Sequence, residues 1–151
     1  MKGIRTRPVE SSDQGDWLRL REALWPNSQS RHDVEIERFL RGEIREPAFV
    51  FVAEIDGRVT GFAELSIRTY AEGCVTGDVG YLEGLYVEPE FRRKGIARAL
   101  VEAGEKWARS ESCTEFASDS ELDNDLSAKV HGRLGFQEVG RIRCFRKPLA
   151  L

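Results

Sequence analysis

Arg92-Arg93-Lys94-Gly95-Ile96-Ala97 decides how this chain is read, because it stands between a strand-like run, Tyr81 to Val87, and an amphipathic run that reaches Trp107. A strand that ends in a basic, glycine-bearing turn and opens a helix presents backbone N–H groups and a positive helix end to an anion. A phosphate group is therefore the expected ligand. Neither G-x-G-x-x-G nor G-x-x-x-x-G-K-[ST] can be read here, which argues against a dinucleotide fold and a P-loop. The pattern is Arg-x-x-Gly-x-Ala.

Working outward, the 151 residues are enough for one domain with a real core, so one fold should carry every site. The apolar runs are short, and Met1-Lys2-Gly3-Ile4-Arg5 lacks an apolar signal core. A soluble cytoplasmic protein that does not engage a membrane is expected. Cys74, Cys113 and Cys144 are widely spaced and unaccompanied by C-x-x-C or a histidine cluster. They read as small hydrophobes, with neither a disulfide framework nor a metal site. A net charge of −3 disfavours nucleic acid as the main partner.

No repeat or linker divides the sequence, and strands alternate with helices in one α/β unit. Ile4 to Val9 reads as a strand. Ser12 or Asp13 can cap a helix through Trp25, with Trp17, Leu20, Ala23 and Leu24 as its apolar stripe and Trp25-Pro26 as its stop. A second helix is expected over Asp33 to Arg41. Ala48 to Ile55, the Asp56-Gly57 turn and Val59 to Arg68 form a hairpin pattern. Gly84 interrupts the Tyr81 to Val87 strand, which marks a bulge or a place where a ligand meets the backbone. Ile96, Leu100, Ala103 and Trp107 share a helix face suited to packing on a sheet. Glu115 to Ser118 reads as a short strand and Leu126 to Leu134 as a helix stopped at Gly135. Phe136 to Val139 and Ile142 to Lys147 read as a closing hairpin.

Four features in this order, the strand Leu82 to Val87, the turn Arg92 to Ala97, the acidic loop after Glu115 and Val130-His131-Gly132-Arg133-Leu134-Gly135-Phe136, resemble the Gcn5-related N-acetyltransferase superfamily over essentially the whole chain. The resemblance implies a single-domain α/β (α+β) fold: a mixed, mostly antiparallel, twisted sheet with a bulged, splayed strand and flanking helices. It implies acetyl-coenzyme A as cofactor. Its pyrophosphate would lie on Arg92, Arg93, Lys94, Gly95, Ile96 and Ala97, and its pantetheine arm along the backbone of Leu85, Tyr86 and Val87. The Leu85 N–H would donate to the thioester oxygen. Asn124 would either meet the pantetheine amides or make an Asx turn. His131 takes the position where many members carry a tyrosine that protonates the departing thiolate. It is either that acid or a packed histidine. Glu83 lies two residues before Leu85 and by alternation shares its face. It is either the base or a salt-bridged strand carboxylate.

Charge placement points to the substrate. No Lys or Arg occurs between Arg68 and Arg92, where Glu72, Asp78, Glu83, Glu88 and Glu90 stand. Between Arg109 and Lys129 every charge is acidic: Glu111, Glu115, Asp119, Glu121, Asp123 and Asp125. These stretches are either an acidic cleft for a polycation or solvated loops. Leu-Glu-Gly-Leu-Tyr-Val, Phe-Ala-Ser-Asp-Ser at 116–120, Val-His at 130–131 and Leu-Trp-Pro at 24–26 are similar to bacterial chromosomal aminoglycoside 6′-N-acetyltransferases. That likeness implies Glu83 and Asp119 as contacts to substrate amines, and Trp25 and Tyr70 as faces for sugar rings and cations. Trp25 reads equally as a core tryptophan. It also implies a homodimer. The rivals are an acetyltransferase of polyamines or another cationic metabolite, and a non-catalytic coenzyme A-sensing module.

Overall fold

The computed structural model describes residues 3–150. The chain packs as two compact units, Met1–Asp119 and Ser120–Leu151.

The first unit holds five strands in the order β1-β2-β3-β4-β5: β1 Arg5–Pro8, β2 Phe49–Ile55, β3 Arg58–Arg68, β4 Val79–Val87 and β5 Phe116–Ser118. Every pairing is antiparallel except β4 with β5. This is the mixed, mostly antiparallel sheet expected. The β2–β3 hairpin turns at Asp56 and Gly57, whose φ values of 53° and 78° are both left-handed, as a two-residue turn matching strand twist requires.

Helices α1 (Gln14–Leu24) and α2 (His32–Leu40) cover one face of the sheet. Trp17, Leu20 and Ile36 pack there on Val50, Val52, Val59 and Phe62. Ala23, expected in the apolar stripe, is exposed, whereas Arg21 is buried. A buried ion pair, described below, rather than an apolar side chain, completes that stripe. Helix α3 (Ile96–Ser110) covers the other face through Ile96, Leu100, Val101, Gly104 and Ala108. Ala103 and Trp107 stand at the edge of this contact, because Gly104 lets the helix sink onto β3. A Cβ on Gly104 would lie 3.0 Å from Leu65 Cδ2. Burying Leu100 completely contributes about 2 kcal/mol.

In the second unit α4 spans Asp125–Arg133. Gly135 follows with φ 94°, the left-handed stop expected after a helix. The closing hairpin does not form: no strand occurs among described residues 134–150, and Val139, Ile142 and Phe145 are exposed. A two-stranded ribbon is marginal without a surface on which to bury its apolar side. Cys144 is likewise exposed rather than a buried filler, while Cys113 is buried.

Candidate active site

The register of β3 with β4 builds the site. Glu64 faces Gly84 and Leu65 faces Leu82, so Glu83 is the extra residue of a bulge. That insertion reverses the parity assumed from alternation. Gly84 looks toward α1, where a Cβ would lie 2.5 Å from Trp25 Cη2. Val87 looks toward Leu100 of α3, and Leu85, two residues back, looks the same way. Glu83 instead joins Ser66, Glu64 and Trp25 in lining a cavity on the α1 face. The expectation that Glu83 and Leu85 share a face is thereby corrected. The strand glycine is explained by the close approach of Trp25 rather than of a ligand.

The cavity, about 640 Å³, is also lined by Glu35, Glu46, Arg21, Arg38 and Arg45. Its floor is a buried charge network. Trp17 Nε1 donates to Glu64 Oε2 at 3.0 Å, and Arg21 Nε lies 2.8 Å from the same oxygen. That Nε–H is not aimed along the line to the carboxylate, so the contact is chiefly one of charge. Arg21 Nη1 donates to Glu35 at 2.8 Å. Burial pushes the Glu64 carboxyl up, against the opposing pull of Arg21 and Trp17. Arg21 also lies 5.4 Å from the centre of the Trp25 ring, and the His32 ring stacks on Trp25 with centres 6.3 Å apart. Trp25 thus serves both readings: it packs on Phe62 and lines the cavity.

At the rim, Arg68 grips Glu83 with two bonds, Nε to Oε2 at 2.9 Å and Nη2 to Oε1 at 2.6 Å. Ser66 Oγ donates to Glu83 Oε2 as well. Tyr81 Oη donates to Asp119 Oδ2 at 2.5 Å. Burial first, and this bond second, raise the Tyr81 phenol above its ordinary value. Tyr70 is 66% exposed in the loop before β4, beside Glu72, whose charge raises its phenol. Much of the acidic stretch is engaged elsewhere. Glu88 pairs with Arg19 and Arg58, Glu90 with Arg58, and Glu115 accepts from the backbone of Val75 and Thr76.

The residues fit a coenzyme A-like ligand. β5 pairs with β4 only over Gly80 to Leu82, so from Glu83 onward the β4 edge on that side is uncovered. No side chain caps α3, and Gly95 at its N-cap holds φ 89°, which leaves the first N–H groups of the helix to an anion. Arg92 Nε donates to Val87 O at 2.8 Å, tying the turn to the strand. Arg93 and Lys94 are exposed beside it. In the second unit Asn124 caps α4, accepting from Ser127 N at 3.0 Å. The Asx reading thus holds for its oxygen. His131 Nδ1 lies 2.7 Å from Ser127 O, so Nδ1 carries a proton and donates it to that carbonyl. Its ring meets Phe136 edge-on at 5.2 Å.

Sequence reasoning missed Arg21, Glu35, Glu46, Glu64, Arg68 and Tyr81. Only Glu64, Arg68 and Tyr81 carried a signal: each lies at alternate spacing from Ser66 or Glu83 on a strand already recognised.

An acetyltransferase fold is thus defined by a bulged strand, an open edge and a helix start beside it. The chain matches the acetyltransferase (GNAT) family over residues 16–136, and it belongs to that family. It is 52% identical over 145 residues to an aminoglycoside N(6′)-acetyltransferase type 1 of Klebsiella aerogenes, covering 95% of each chain. Identity to the Acinetobacter haemolyticus enzyme of the same name is 40% over 147 residues, 97% of this chain and 99% of that one. Among solved structures it is similar to aminoglycoside N-acetyltransferase AAC(6′)-Iy in complex with CoA, with a TM-score of 0.89 at 35% identity over 99% of this chain and 97% of that one. The structure of AAC(6′)-Iy with a bisubstrate analogue, CoA-S-monomethyl-acetylneamine, gives 0.88 at 36% identity over 97% and 99%.

Proposed function

We propose that this protein is an acetyl-coenzyme A-dependent aminoglycoside 6′-N-acetyltransferase that confers antibiotic resistance by direct transfer to an amino-sugar amine. The observation that carries the reading is the bulge. It parts Glu83 from Leu85: the Glu83 carboxylate lines a cavity with three further glutamates and Trp25, while the strand edge from Leu85 to Val87 stays uncovered by β5. The names borne by the relatives at 52% and 40% identity point to the same substrate class.

In this reading the backbones of Leu85, Tyr86 and Val87 hold the pantetheine arm as an added strand would. The N–H groups of Gly95, Ile96 and Ala97, with Arg92, Arg93 and Lys94, hold the pyrophosphate. The NH2 of Asn124 donates to the pantetheine. The bound thioester supplies an activated acetyl group. Leu85 N–H steadies its carbonyl oxygen as negative charge develops there. Glu83, with Asp119, Trp25 and Tyr70, orients the amine, and Glu83 takes the proton that the amine loses as the C–N bond forms. A water between them can relay that proton. His131, near the end of α4, returns a proton from its ring to the departing sulfur. The family match crosses both compact units, in keeping with one acetyltransferase domain over residues 1–151. The exposed Val139, Ile142 and Phe145 are the kind of surface that a second copy would cover in a homodimer. No helix among the described residues is long and apolar enough to cross a membrane. We place the protein in the cytoplasm, where acetyl-coenzyme A and the ribosomal target of the drugs are found.

Acetyl-coenzyme A-dependent thiol release tests this, comparing kanamycin and tobramycin with their 6′-hydroxyl counterparts and with spermidine. Release confined to acceptors bearing a 6′-amine is the expected result; a faster rate with spermidine would replace the antibiotic with a polyamine.

A further inference from the structure

The proposed base is already occupied. Three hydrogen bonds converge on Glu83, two from the fork of Arg68 and one from Ser66. Arg68 neutralises the charge that would draw a substrate ammonium, and it covers both oxygens. An amine, or a water bound to it, that is to be held by both oxygens competes with the Arg68 fork for them. Ser66 is buried on β3 and carries no charge for a substrate cation to replace. The Arg68 side chain is 43% exposed, on a long stem at the end of the same strand. Its guanidinium carbon sits 3.6 Å from the centre of the Tyr81 ring. Tyr81 in turn bonds Asp119, so the two carboxylates proposed to meet substrate amines are joined through this one cation and the ring beneath it.

We infer that Arg68 is a resident counter-ion of Glu83 that a substrate ammonium displaces on binding. The fork mimics the cation to come: it keeps the bulge carboxylate satisfied and aimed into the cavity while the site is empty, then yields its place. An ion pair this exposed is worth little to stability, which is what makes the exchange affordable. The inference rests on the reading of Glu83 as a contact to the substrate amine. Arg68 acts through Glu83 and is a positioning residue, with no part in bond making.

Calorimetric titration of tobramycin into the full-length protein with coenzyme A present tests the exchange, using wild type, Arg68→Met, Arg68→Lys, Glu83→Gln and the double variant Arg68→Met/Glu83→Gln. Methionine keeps an apolar stem on Tyr81, and Arg68→Gln is a second choice if the melting temperature falls. Removing the competitor should tighten tobramycin roughly threefold to fivefold. Lysine, a charge without the fork, should tighten it by less. The double variant should bind like Glu83→Gln alone, since nothing is left to compete for. Unchanged or weaker binding in Arg68→Met would overturn the inference. So would a lysine variant equal to wild type together with an undiminished gain in the double variant, because the effect would then be long-range repulsion. If Glu83→Gln alone changed neither affinity nor turnover, the role of Glu83 itself would fall, and this inference with it.

Discussion

Glu64 and Glu83 stand on adjacent strands, line the same cavity and each meet an arginine, yet their surroundings differ. The Glu64 side chain is 3% exposed and is held by Trp17 and Arg21; the Glu83 side chain is 28% exposed and is held by Arg68 and Ser66. Inside, both partners of the pair are locked by the packing of α1 on β3. A carboxylate there costs stability unless its arginine stays. At the rim water can take the arginine's place, so the pair can open at little cost. The same two residue types thus make a structural joint in one place and an exchangeable site in the other.

The sharpest way to break the comparison is to neutralise each carboxylate or its partner. Glu83→Gln should lower kcat/KM by at least about 100-fold, the usual contribution of a general base, with coenzyme A affinity and melting temperature near wild type. A normal rate would place Glu83 with the structural joints. Arg21→Met should act in the opposite sense, on stability. It leaves Glu64 buried without the arginine it pairs with and should cost about 3 kcal/mol, read as a fall of roughly 10 °C in Tm. This loss should depend on pH. Burial already raises the Glu64 carboxyl in the folded protein, so the folded state holds that proton more readily than the unfolded chain does. Stability then drains away as pH rises through the raised folded value. Without Arg21 the drain is steeper, and the deficit of the variant should be larger at pH 8 than at pH 5. Equal deficits at both values would show that Arg21 acts through packing alone. Gly84→Ala should have the smallest effect. Its methyl would meet Trp25 at 2.5 Å and push the ring from the cavity wall, at a cost of about 1–2 kcal/mol in unfolding titrations and a raised KM for tobramycin with kcat little changed.

The two pairs also mark where sequence reading succeeds. Glu83 was legible because it lies inside a strand–turn–helix pattern whose signals are local: Gly95 supplies the left-handed turn and α3 begins without a side-chain cap. Its direction was not legible, because one bulged residue reverses every later face and periodicity assumes there is none. The pairing of Arg21 with Glu64 was illegible for another reason. A charge at a core position of a helix reads as solvated until its partner, 43 positions away, is seen beside it. The closing hairpin failed because alternation describes a strand's faces without providing a neighbour to pair with.

What the sequence determined by itself is therefore local: the Asp56-Gly57 turn, the basic start of α3, the stop at Gly135 and the presence of a carboxylate, Glu83, within the β4 strand. Backbone geometry and helix-end chemistry act over a few residues, so their signals lie close together in the chain. The tertiary structure alone decided which carboxylates share a cavity, which arginine each one meets and which of those contacts water can loosen, because burial and charge pairing join residues that only the packed sheet brings together.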